Sequence, residues 1–404
     1  MYDKLVDLFG SDKVGTELDN IVYALDASRV EGKSIGVVMA ETVEDIKRVV
    51  KYANKNDLAV VARGGGTSVT GSVIPQNAMV IDLTRMNRIV EIKEDSAIVE
   101  PGITIRRLNE ECEKNGVFFP VVPASEECCT VGGAISTNAL GLRGIKYGKA
   151  ENWVKKLEVV DGGGNIINVE GEEARAFCGA EGLLGIIVKA ELKLAKMPEK
   201  RTLSFHIFAR SDYARMMRMV KTYKKNKNVS AIEFINAVAR GLMGKEEKGM
   251  LIVEFESDEG EISDKKDIEE ILKFREDAYP AVAKEGYVWM EDPYVDEEHM
   301  YHLLVWLRDR KIPAFGHIGA GVMHPCFRMG DEKLIDAMYE FVIGLGGDIN
   351  GEHGIGITKR KFATTEYIRR IVELKKKYDV KGIMNRGKVG GVGGFIFGGV
   401  ACER

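Results

Sequence analysis

The spacing of hydrophobic and polar positions predicts alternating helices and strands in the first half of the chain. Thr42 and, three residues later, Asp45 form a helix-start signature, and apolar residues then recur at helical spacing as far as Ala53. Similar patterns predict further elements at 58–62 (strand), 78–83 (strand), 97–99 (strand), 104–115 (helix), 156–160 (strand) and 166–169 (strand after the glycine turn 161–165). Residues 1–197 therefore form one glycine-rich α/β domain in this interpretation.

A different pattern begins near Arg201, where glycine becomes rare. Alternating apolar residues predict a strand at 203–207. Further elements are expected at 212–225 (helix), 231–235 (strand), 250–256 (strand), 262–284 (charged helix), 297–310 (helix) and 333–345 (last helix). Glycine-rich sequence returns at 346–356 and again from 382 onward. We therefore expect an α+β domain at 198–346 and a return of residues 347–404 to the first domain.

Composition narrows the class of protein. A chain of 404 residues exceeds the length at which a single core keeps growing, which favours two domains. Its net charge of −4 gives no reason to expect binding to nucleic acid. The N-terminal residues carry no signal or transit pattern, and the weakly polar segment 390–401 is too short to span a bilayer. We expect a cytoplasmic protein without a transmembrane segment, in which 390–401 is a candidate for peripheral contact with a membrane or a partner.

A glycine loop follows the strand predicted at 58–62. The segment 63–68 reads Arg-Gly-Gly-Gly-Thr-Ser, and its glycines would let backbone amides approach a phosphate while the hydroxyl groups add donors. Val69 occupies the last glycine position of a dinucleotide-binding GxGxxG motif, and no Lys-Ser/Thr pair of a P-loop follows. Taken alone, such a loop is more often a tight turn than a binding site.

Two more strips accompany this loop. The first strip extends as RGGGTSVTG (63–71), the second reads CTVGGAISTNALG (129–141) followed by KYG (146–148), and the third reads GAEGLLGIIVKAEL (179–192). In this order they resemble the FAD domain of the vanillyl-alcohol oxidase superfamily, also named for p-cresol methylhydroxylase. The branch that the sequence resembles most contains D-lactate dehydrogenase, the glycolate oxidase catalytic subunit and D-2-hydroxyglutarate dehydrogenase. The resemblance implies an α+β fold class, with a two-subdomain FAD-binding domain of the p-cresol methylhydroxylase type and an α+β, ferredoxin-like cap.

The same resemblance implies the residues that bind FAD. They are Arg63, Gly64, Gly65, Gly66, Thr67, Ser68 and Gly71 around the pyrophosphate, Pro123, Gly132, Gly133, Ser136 and Asn138 on the flavin side, and Glu181, Gly185 and Ile187 flanking the cofactor. Some relatives attach FAD through His or Cys, but no histidine precedes His206, which excludes a histidyl link from the first domain. Cys128 stands where some relatives have a cysteinyl link, although a neighbouring buried thiol is the more common finding. We expect non-covalent FAD.

Rare metal-binding side chains are concentrated near the C-terminus. His317 and His324 are seven residues apart, so a turn at 319–321 is needed to bring both imidazoles to one ion. Together with Glu352 they make a three-ligand set that leaves positions open for substrate on a divalent ion, with Zn²⁺ as the first candidate. The resembled branch carries the same H-x6-H pattern followed by Glu-His-Gly, which implies that His353 is the catalytic base.

Two departures from the family pattern accompany these matches. The family commonly has Gly-Asp-Gly-Asn between the two histidines, whereas this chain has Ala320 and Val322 in place of Asp and Asn. Arg275 lies in a segment that resembles the Trp-x-x-Arg-Glu stretch, with Leu272 in place of Trp, and is the candidate cation for the substrate carboxylate. A solvated arginine on a charged helix is the alternative for Arg275. His299 and His302 lie three residues apart and are interpreted as a surface pair.

The expected function is FAD-dependent oxidation of a small D-2-hydroxy acid, of the D-lactate or glycolate class, to the 2-oxo acid. A non-catalytic FAD-binding subunit of an oxidoreductase complex is one alternative, and a non-redox FAD enzyme of the alkyl-glycerone-phosphate synthase type is another. Because no cysteine spacing suits an iron-sulfur cluster, the electron acceptor is expected to be a separate iron-sulfur or quinone-linked subunit. A homodimer is a further candidate arrangement.

Overall fold

A computed structural model describes residues 1–388 of the chain. The candidate contact segment 390–401 lies outside the described residues. Among residues 1–388, no helix combines the length and the apolar character that crossing a bilayer requires.

The strands belong to two multi-stranded sheets in the first half of the chain, one large sheet in the second half, and a short two-stranded pairing. They are Lys33–Met39 (β1), Ala59–Arg63 (β2), Gln76–Asp82 (β3), Ile89–Ile92 (β4), Ser96–Val99 (β5), Val117–Phe118 (β6), Val154–Asp161 (β7), Ile166–Glu170 (β8), Gly185–Lys193 (β9), Ala195–Lys196 (β10), Thr202–Phe208 (β11), Val229–Ile235 (β12), Gly249–Phe255 (β13), Trp289–Met290 (β14), Ala314–Gly316 (β15) and His324–Phe327 (β16).

The α-helices pack against the faces of these sheets or connect their strands. They are Tyr2–Phe9 (α1), Glu17–Val22 (α2), Val43–Lys55 (α3), Ile105–Glu113 (α4), Val131–Thr137 (α5), Gly144–Tyr147 (α6), Gly171–Phe177 (α7), Tyr213–Tyr223 (α8), Ala237–Leu242 (α9), Lys265–Glu276 (α10), Ala278–Lys284 (α11), Glu297–Asp309 (α12), Glu332–Gly344 (α13) and Thr365–Tyr378 (α14).

The N-terminal half consists of two subdomains, and α3 packs against both of them. A parallel sheet of order β1-β3-β2 stands beside an antiparallel sheet of order β4-β5-β9-β7-β8. The helix α3 begins at the predicted Thr42–Asp45 capping box and buries Ile46, Val49 and Val50 in the core next to the parallel sheet. The expected two-subdomain arrangement of this half is confirmed.

The second half contains an antiparallel sheet of order β11-β13-β12-β15-β16-β14. The helices α8, α12 and α13 bury their apolar faces on it, in a cluster that includes Met216, Leu303 and Met338. The expected α+β cap is confirmed.

The chain after α13 contacts the first half again. Tyr378, at the end of α14, packs into the core of the five-stranded sheet, and Met384 forms a parallel bridge with Val60 of β2. Asn385 donates its side-chain amide to the carbonyl oxygens of Ser72 and Glu181. Residues 378–385 therefore lie on the FAD-domain side of the molecule.

One predicted helix is divided in two, and other helices were not predicted. The single helix expected at 262–284 is two helices that meet at Asp277, because Pro280 lacks the N–H that would continue the first helix to its i−4 carbonyl. The helix expected to be the last is followed by α14, an amphipathic segment that starts at the N-cap Thr364. The second glycine-rich strip, within residues 129–148, contains the helices α5 and α6, which its glycine content made difficult to predict.

The two halves are joined by buried charge. Arg143, in the loop before α6, donates Nε and Nη2 to the two carboxylate oxygens of Glu254 on β13 at 2.6 and 2.8 Å. The Glu254 side chain is 1% exposed and that of Arg143 is 12% exposed. Since removal of one partner leaves the other charge buried, this pair is expected to hold the halves together.

We predict that Glu254→Gln lowers the free energy of unfolding by about 3 kcal/mol, because the guanidinium of Arg143 keeps a neighbour of the same shape but loses its counter-charge. Denaturant unfolding measures the change. Glu44→Gln, which breaks the exposed Lys47–Glu44 pair, is the control and should change stability by less than about 1 kcal/mol. Equal small effects of both variants would contradict this role of Glu254.

Candidate active site

A cavity of about 720 Å³ lies between the two halves of the molecule. Its wall on the first half contains the loop 63–68 and parts of the strips 123–143 and 181–187. Its wall on the second half contains Arg275, His317, His324, Glu352 and His353. Most of the FAD-binding residues and all of the metal-binding residues predicted from the sequence thus share one cavity.

The glycines of the loop 63–68 are required by the backbone that lies behind them. A Cβ on Gly65 would lie 1.9 Å from the carbonyl oxygen of Cys128, and one on Gly64 would lie 2.2 Å from Oγ1 of Thr130. Gly66 has a φ of +68°, in the left-handed region that favours glycine. The loop is therefore pressed against the second strip, which leaves its other side open to the cavity. This cradle fits the phosphates of FAD.

Most of the expected FAD-binding residues line the cavity. They are Arg63, Gly64, Gly65, Gly66, Thr67, Ser68, Pro123, Gly132, Gly133, Ser136, Glu181, Gly185 and Ile187.

Gly71 and Asn138 do not line it. Gly71 has a φ of +77° and packs near Ile357. Asn138 has a φ of 51°, ends α5 in the left-handed conformation and accepts the backbone N–H of Glu151. Both residues shape the backbone behind the cavity wall.

The carboxylate of Glu181 forms its hydrogen bonds with other residues of the chain. It accepts the backbone N–H groups of Ile355 and Gly356 at 2.7 and 2.8 Å, and also the hydroxyl of Ser72. Burial raises the pKa of this carboxyl group, while these three hydrogen bonds oppose the shift. Glu181 therefore anchors the segment that follows His353 to the first half of the molecule.

A hairpin places the two predicted metal-binding histidines. His317 follows the end of β15 and His324 begins β16, and the two strands pair with Phe315 opposite His324. A 3₁₀ turn at Ile318–Ala320 and the left-handed Gly321 connect them. The turn expected at 319–321 is confirmed, and it brings the two imidazole rings to 5.3 Å between centroids.

Glu352 completes the cluster from the loop between α13 and α14. Its carboxylate oxygens lie 3.7 Å from Nε2 of His317 and 3.2 Å from Nε2 of His324. One ligand atom from each of the three residues lies within 4.8 Å of the others. Two imidazoles and one carboxylate in this arrangement are a donor set that fits Zn²⁺ or a similar divalent ion.

His353 extends the cluster. Its Nε2 lies 3.0 Å from Oε1 of Glu352, and its ring stacks on that of His324 at 5.1 Å. The carboxylate of Asp292 accepts the backbone N–H groups of Glu352 and His353 at 2.7 and 2.8 Å, which fixes the loop that presents both side chains.

The cluster is electrostatically poised for a cation. Burial by itself would raise the pKa of Glu352, but His317, His324 and His353 hold that pKa well below its usual range. Burial lowers the pKa of His324 to about 4, so its imidazole is neutral at pH 7. An ionised carboxylate beside a neutral imidazole is the protonation state that metal binding requires.

Arg275 is not the solvated surface arginine of the alternative interpretation. It is 7% exposed, donates Nε to Oε2 of Glu233 at 2.7 Å and lies 4.9 Å above the ring of Phe315. The other carboxylate oxygen of Glu233 lies 2.7 Å from Nδ1 of His317. Glu233 thereby connects the candidate carboxylate-binding residue with a candidate metal ligand.

The sequence interpretation missed Glu233 and Asp292. Glu233 is the one charged residue of β12, in which every residue is buried, and this isolation was the signal that could have revealed it. Burial raises its pKa, but His317 and Arg275 lower it by more. A carboxylate on the far nitrogen of a metal-binding imidazole fixes the tautomer and orientation of the ring.

His299 and His302 are separate from this site. They lie on α12 with ring centroids 6.5 Å apart; His302 is exposed and His299 is half-buried. The expected surface pair is confirmed.

Fold and cavity together define a two-domain FAD-binding protein. The family model described as FAD binding domain matches residues 34–170, and the model described as FAD linked oxidases, C-terminal domain, matches residues 254–389. The chain is 27% identical to D-2-hydroxyglutarate dehydrogenase of Stutzerimonas stutzeri, with 96% of this chain and 98% of the relative covered. The two models together match more than half of the chain, which belongs to the FAD-linked oxidase family.

Two further relatives agree with this placement. The glycolate oxidase subunit GlcD of Bacillus subtilis is 28% identical over 96% of each chain. The D-lactate dehydrogenase of Archaeoglobus fulgidus is 28% identical over 87% of this chain and 90% of the relative. Among solved structures, an alkyldihydroxyacetonephosphate synthase superposes with a TM-score of 0.68 at 16% identity, covering 95% of this chain and 83% of that one. At this identity the likeness shows a shared fold.

We predict that Gly65→Ala weakens FAD binding, because the added Cβ would displace the loop from Cys128. Overpacking of this kind costs about 1–3 kcal/mol, so the affinity should fall by roughly tenfold to 100-fold. Titration of the apoprotein with FAD, followed by flavin fluorescence, measures the change. Gly344→Ala is the matched control, since a Cβ there meets nothing within 4 Å. Unchanged FAD affinity in Gly65→Ala would argue against the cradle.

Proposed function

We propose that this chain oxidises a small D-2-hydroxy acid, of the lactate or glycolate class, to the 2-oxo acid. The observation that carries the proposal is the shared cavity, in which Arg275 and the cluster of His317, His324, Glu352 and His353 face the FAD cradle. The relatives named for D-lactate, glycolate and D-2-hydroxyglutarate support the same reaction class. The alkyldihydroxyacetonephosphate synthase likeness concerns the fold and does not favour a non-redox function.

Bound FAD would accept the hydride of the substrate α-carbon, and a divalent ion, with Zn²⁺ as the first candidate, would act as a Lewis acid at the substrate hydroxyl. His317, His324 and Glu352 are the residues that would hold that ion. FAD would be held without a covalent bond, because Cys128 does not line the cavity and burial raises the pKa of the neighbouring Cys129 thiol to about 11.

The residues of the chain bind and orient the substrate. Arg275 engages Glu233 through Nε, and its Nη atoms lie outside that ion pair and are suited to the substrate carboxylate. His353 Nδ1 lies on the side of Asp292, 3.6 Å from Oδ1 and without a hydrogen bond, whereas Nε2 lies on the side of the ligand cluster, 3.0 Å from Oε1 of Glu352. We therefore assign the hydroxyl proton to Nε2. The carboxylate of Asp292 stabilises the positive charge that the imidazole then carries.

Electrons must leave the reduced flavin to an acceptor outside this chain. None of the cysteines among residues 1–388 contributes to a group with metal-binding geometry. We infer that the acceptor is a separate iron-sulfur or quinone-linked partner.

The test is anaerobic reduction of the purified flavoprotein by D-lactate and by glycolate, with the visible flavin absorbance as the readout and the metal content measured in parallel. Bleaching by either acid, with bound divalent metal, is the expected result. A flavin that no 2-hydroxy acid bleaches, in a protein without metal, would overturn the proposal in favour of a non-catalytic FAD-binding subunit.

We predict that His353→Asn keeps FAD but lowers kcat by roughly 10²–10⁴-fold, the usual contribution of a general base. Single-turnover flavin reduction measures the loss, and the flavin spectrum checks the fold. His302→Asn, an exposed histidine, is the control. A rate within twofold of the parent would rule out His353 as the base.

We predict that Glu233→Gln weakens binding of the divalent ion by roughly 10–100-fold, because the amide no longer provides the charge that orients His317. Competition with a chelating dye measures the affinity directly, independently of turnover. Glu270→Gln, on the exposed face of α10, is the matched control. If both variants bind the ion like the parent, Glu233 has no part in the metal site.

A further inference from the structure

A smaller cavity of about 200 Å³, here named the side cavity, adjoins the large one. The two cavities share four lining residues, which are Ala27, Val69, Tyr279 and Met290. The last two pack against the cluster of Phe315, whose ring lies 5.7 Å from that of His324. The side cavity therefore adjoins the end of the large cavity that contains the candidate metal ligands.

This position bears on the second half of the reaction, in which electrons leave the flavin. Arg275 and the metal cluster place the substrate at this end of the large cavity, so hydride transfer takes place there. A molecule in the side cavity would be separated from that end by the side chains that line both cavities. Arg29 and Met329 are exposed, so such a molecule can enter from solvent without passing the metal cluster.

The side cavity has apolar walls and two hydrogen-bond donors. Its apolar residues include Val30, Val69, Val288, Met290 and Met329. The guanidinium of Arg29, from the first half, forms no ion pair with any residue of 1–388, and the indole N–H of Trp289, from the cap, has no hydrogen-bond partner there. Burial raises the pKa of the Tyr279 hydroxyl, and the neighbouring guanidinium of Arg29 opposes this increase. That hydroxyl is already engaged, since it donates to the carbonyl oxygen of Val288 at 3.1 Å.

An exposed apolar surface leads to the side cavity. Leu18, Ile21, Val22 and Leu25 recur at the spacing of one helical face, and they are 69, 64, 57 and 42% exposed. Apolar residues at this spacing normally face a core, whereas here they face outward. Leu25 lies two residues before Ala27 of the cavity wall, so the apolar surface is continuous along the chain with that wall.

The chemistry of a quinone matches these features. Its ring is planar and apolar, its two carbonyl oxygens accept hydrogen bonds at opposite ends, and its isoprenoid tail is apolar. Arg29 and Trp289, one from each half of the molecule, supply a donor for each oxygen. A carboxylate would use the guanidinium but would leave the apolar walls and the exposed apolar surface without a partner.

We propose that the side cavity binds the ring of a quinone that reoxidises the reduced flavin. Two electrons and two protons pass from the reduced flavin to the quinone, which becomes the quinol, and oxidised FAD is restored. This inference rests on the proposed function and names the acceptor that the proposed function leaves open. Because substrate and quinone occupy different cavities, the quinone binds whether or not the 2-oxo acid has left.

The test separates flavin reoxidation from substrate oxidation. The holoprotein is reduced anaerobically with one equivalent of dithionite and mixed with decylubiquinone, and the return of the flavin absorbance is followed. The rate constant should reach a plateau with increasing quinone, at a half-saturation concentration roughly tenfold lower than for an analogue without the tail, the effect of about two buried methylene groups. A rate constant that rises in proportion to the quinone, without a plateau, would overturn the inference. No hydroxy acid is used, so this result does not depend on the proposed function.

A variant tests the charged donor. Arg29→Gln should raise the half-saturation concentration for decylubiquinone by roughly tenfold to 100-fold, the loss of one hydrogen bond to a charged group. Arg218→Gln, on the exposed face of α8, is the matched control and should behave like the parent. An unchanged value in Arg29→Gln contradicts the assignment. Loss of FAD from Arg29→Gln would also overturn it, because the side cavity would then hold part of the cofactor.

Competition with the product gives a readout on the parent protein alone. Pyruvate is added at a concentration that saturates its perturbation of the flavin spectrum, and reoxidation by decylubiquinone is measured again. The half-saturation concentration for the quinone should stay within about twofold, because the two ligands occupy separate cavities. Competitive inhibition by pyruvate would show that the quinone uses the substrate cavity and would overturn the inference, even if Arg29→Gln failed to fold.

Discussion

The geometry of the site depends on two buried carboxylates that hold one loop by its backbone. Asp292, from the cap, accepts the N–H groups of Glu352 and His353, and Glu181, from the FAD-binding half, accepts those of Ile355 and Gly356. Burial removes water from each carboxylate, and the hydrogen bonds from the backbone take the place of that water. The loop therefore bridges the two halves, and the candidate metal ligand and the candidate base occupy its centre.

Charge compensation explains how Asp292 can be fully buried. Lys359, which is 1% exposed, forms an ion pair with Asp292 and lies 3.9 Å from Glu291. Burial lowers the pKa of Lys359 to about 8, while the charge of Glu291 works against this shift. Lys359 follows His353 by only six residues, so the loop carries both the groups that Asp292 positions and the cation that neutralises it. The same loop thus contains both the candidate base, His353, and the cation that lets Asp292 position it.

The sequence predicts those parts of the site that depend on local patterns. The glycines at 64–66 and the turn between His317 and His324 follow from backbone requirements, which leave a recognisable trace in the residue types. The roles of Glu233 and Asp292 could not be predicted from the sequence, because their partners are distant along the chain. The partners of Glu233 lie 42 and 84 residues away, and the backbone that Asp292 binds lies about 60 residues away. Only the three-dimensional pairing of β12 with β15 places Glu233 behind the cluster.

Contacts that only the folded chain shows also account for the departure from the family pattern between the two histidines. Ala320 and Val322 are not among the described residues that line the cavity. Val322 is 1% exposed, and its methyl groups lie against Gly351, where an added Cβ would come within 2.7 Å. The side chain of Val322 therefore supports the loop of Glu352 by packing, and Asp292 supports the same loop by hydrogen bonding. The hairpin positions His317 and His324, and the loop held by Asp292 positions Glu352, so the placement of these three candidate ligands does not depend on an Asp or Asn at the two positions.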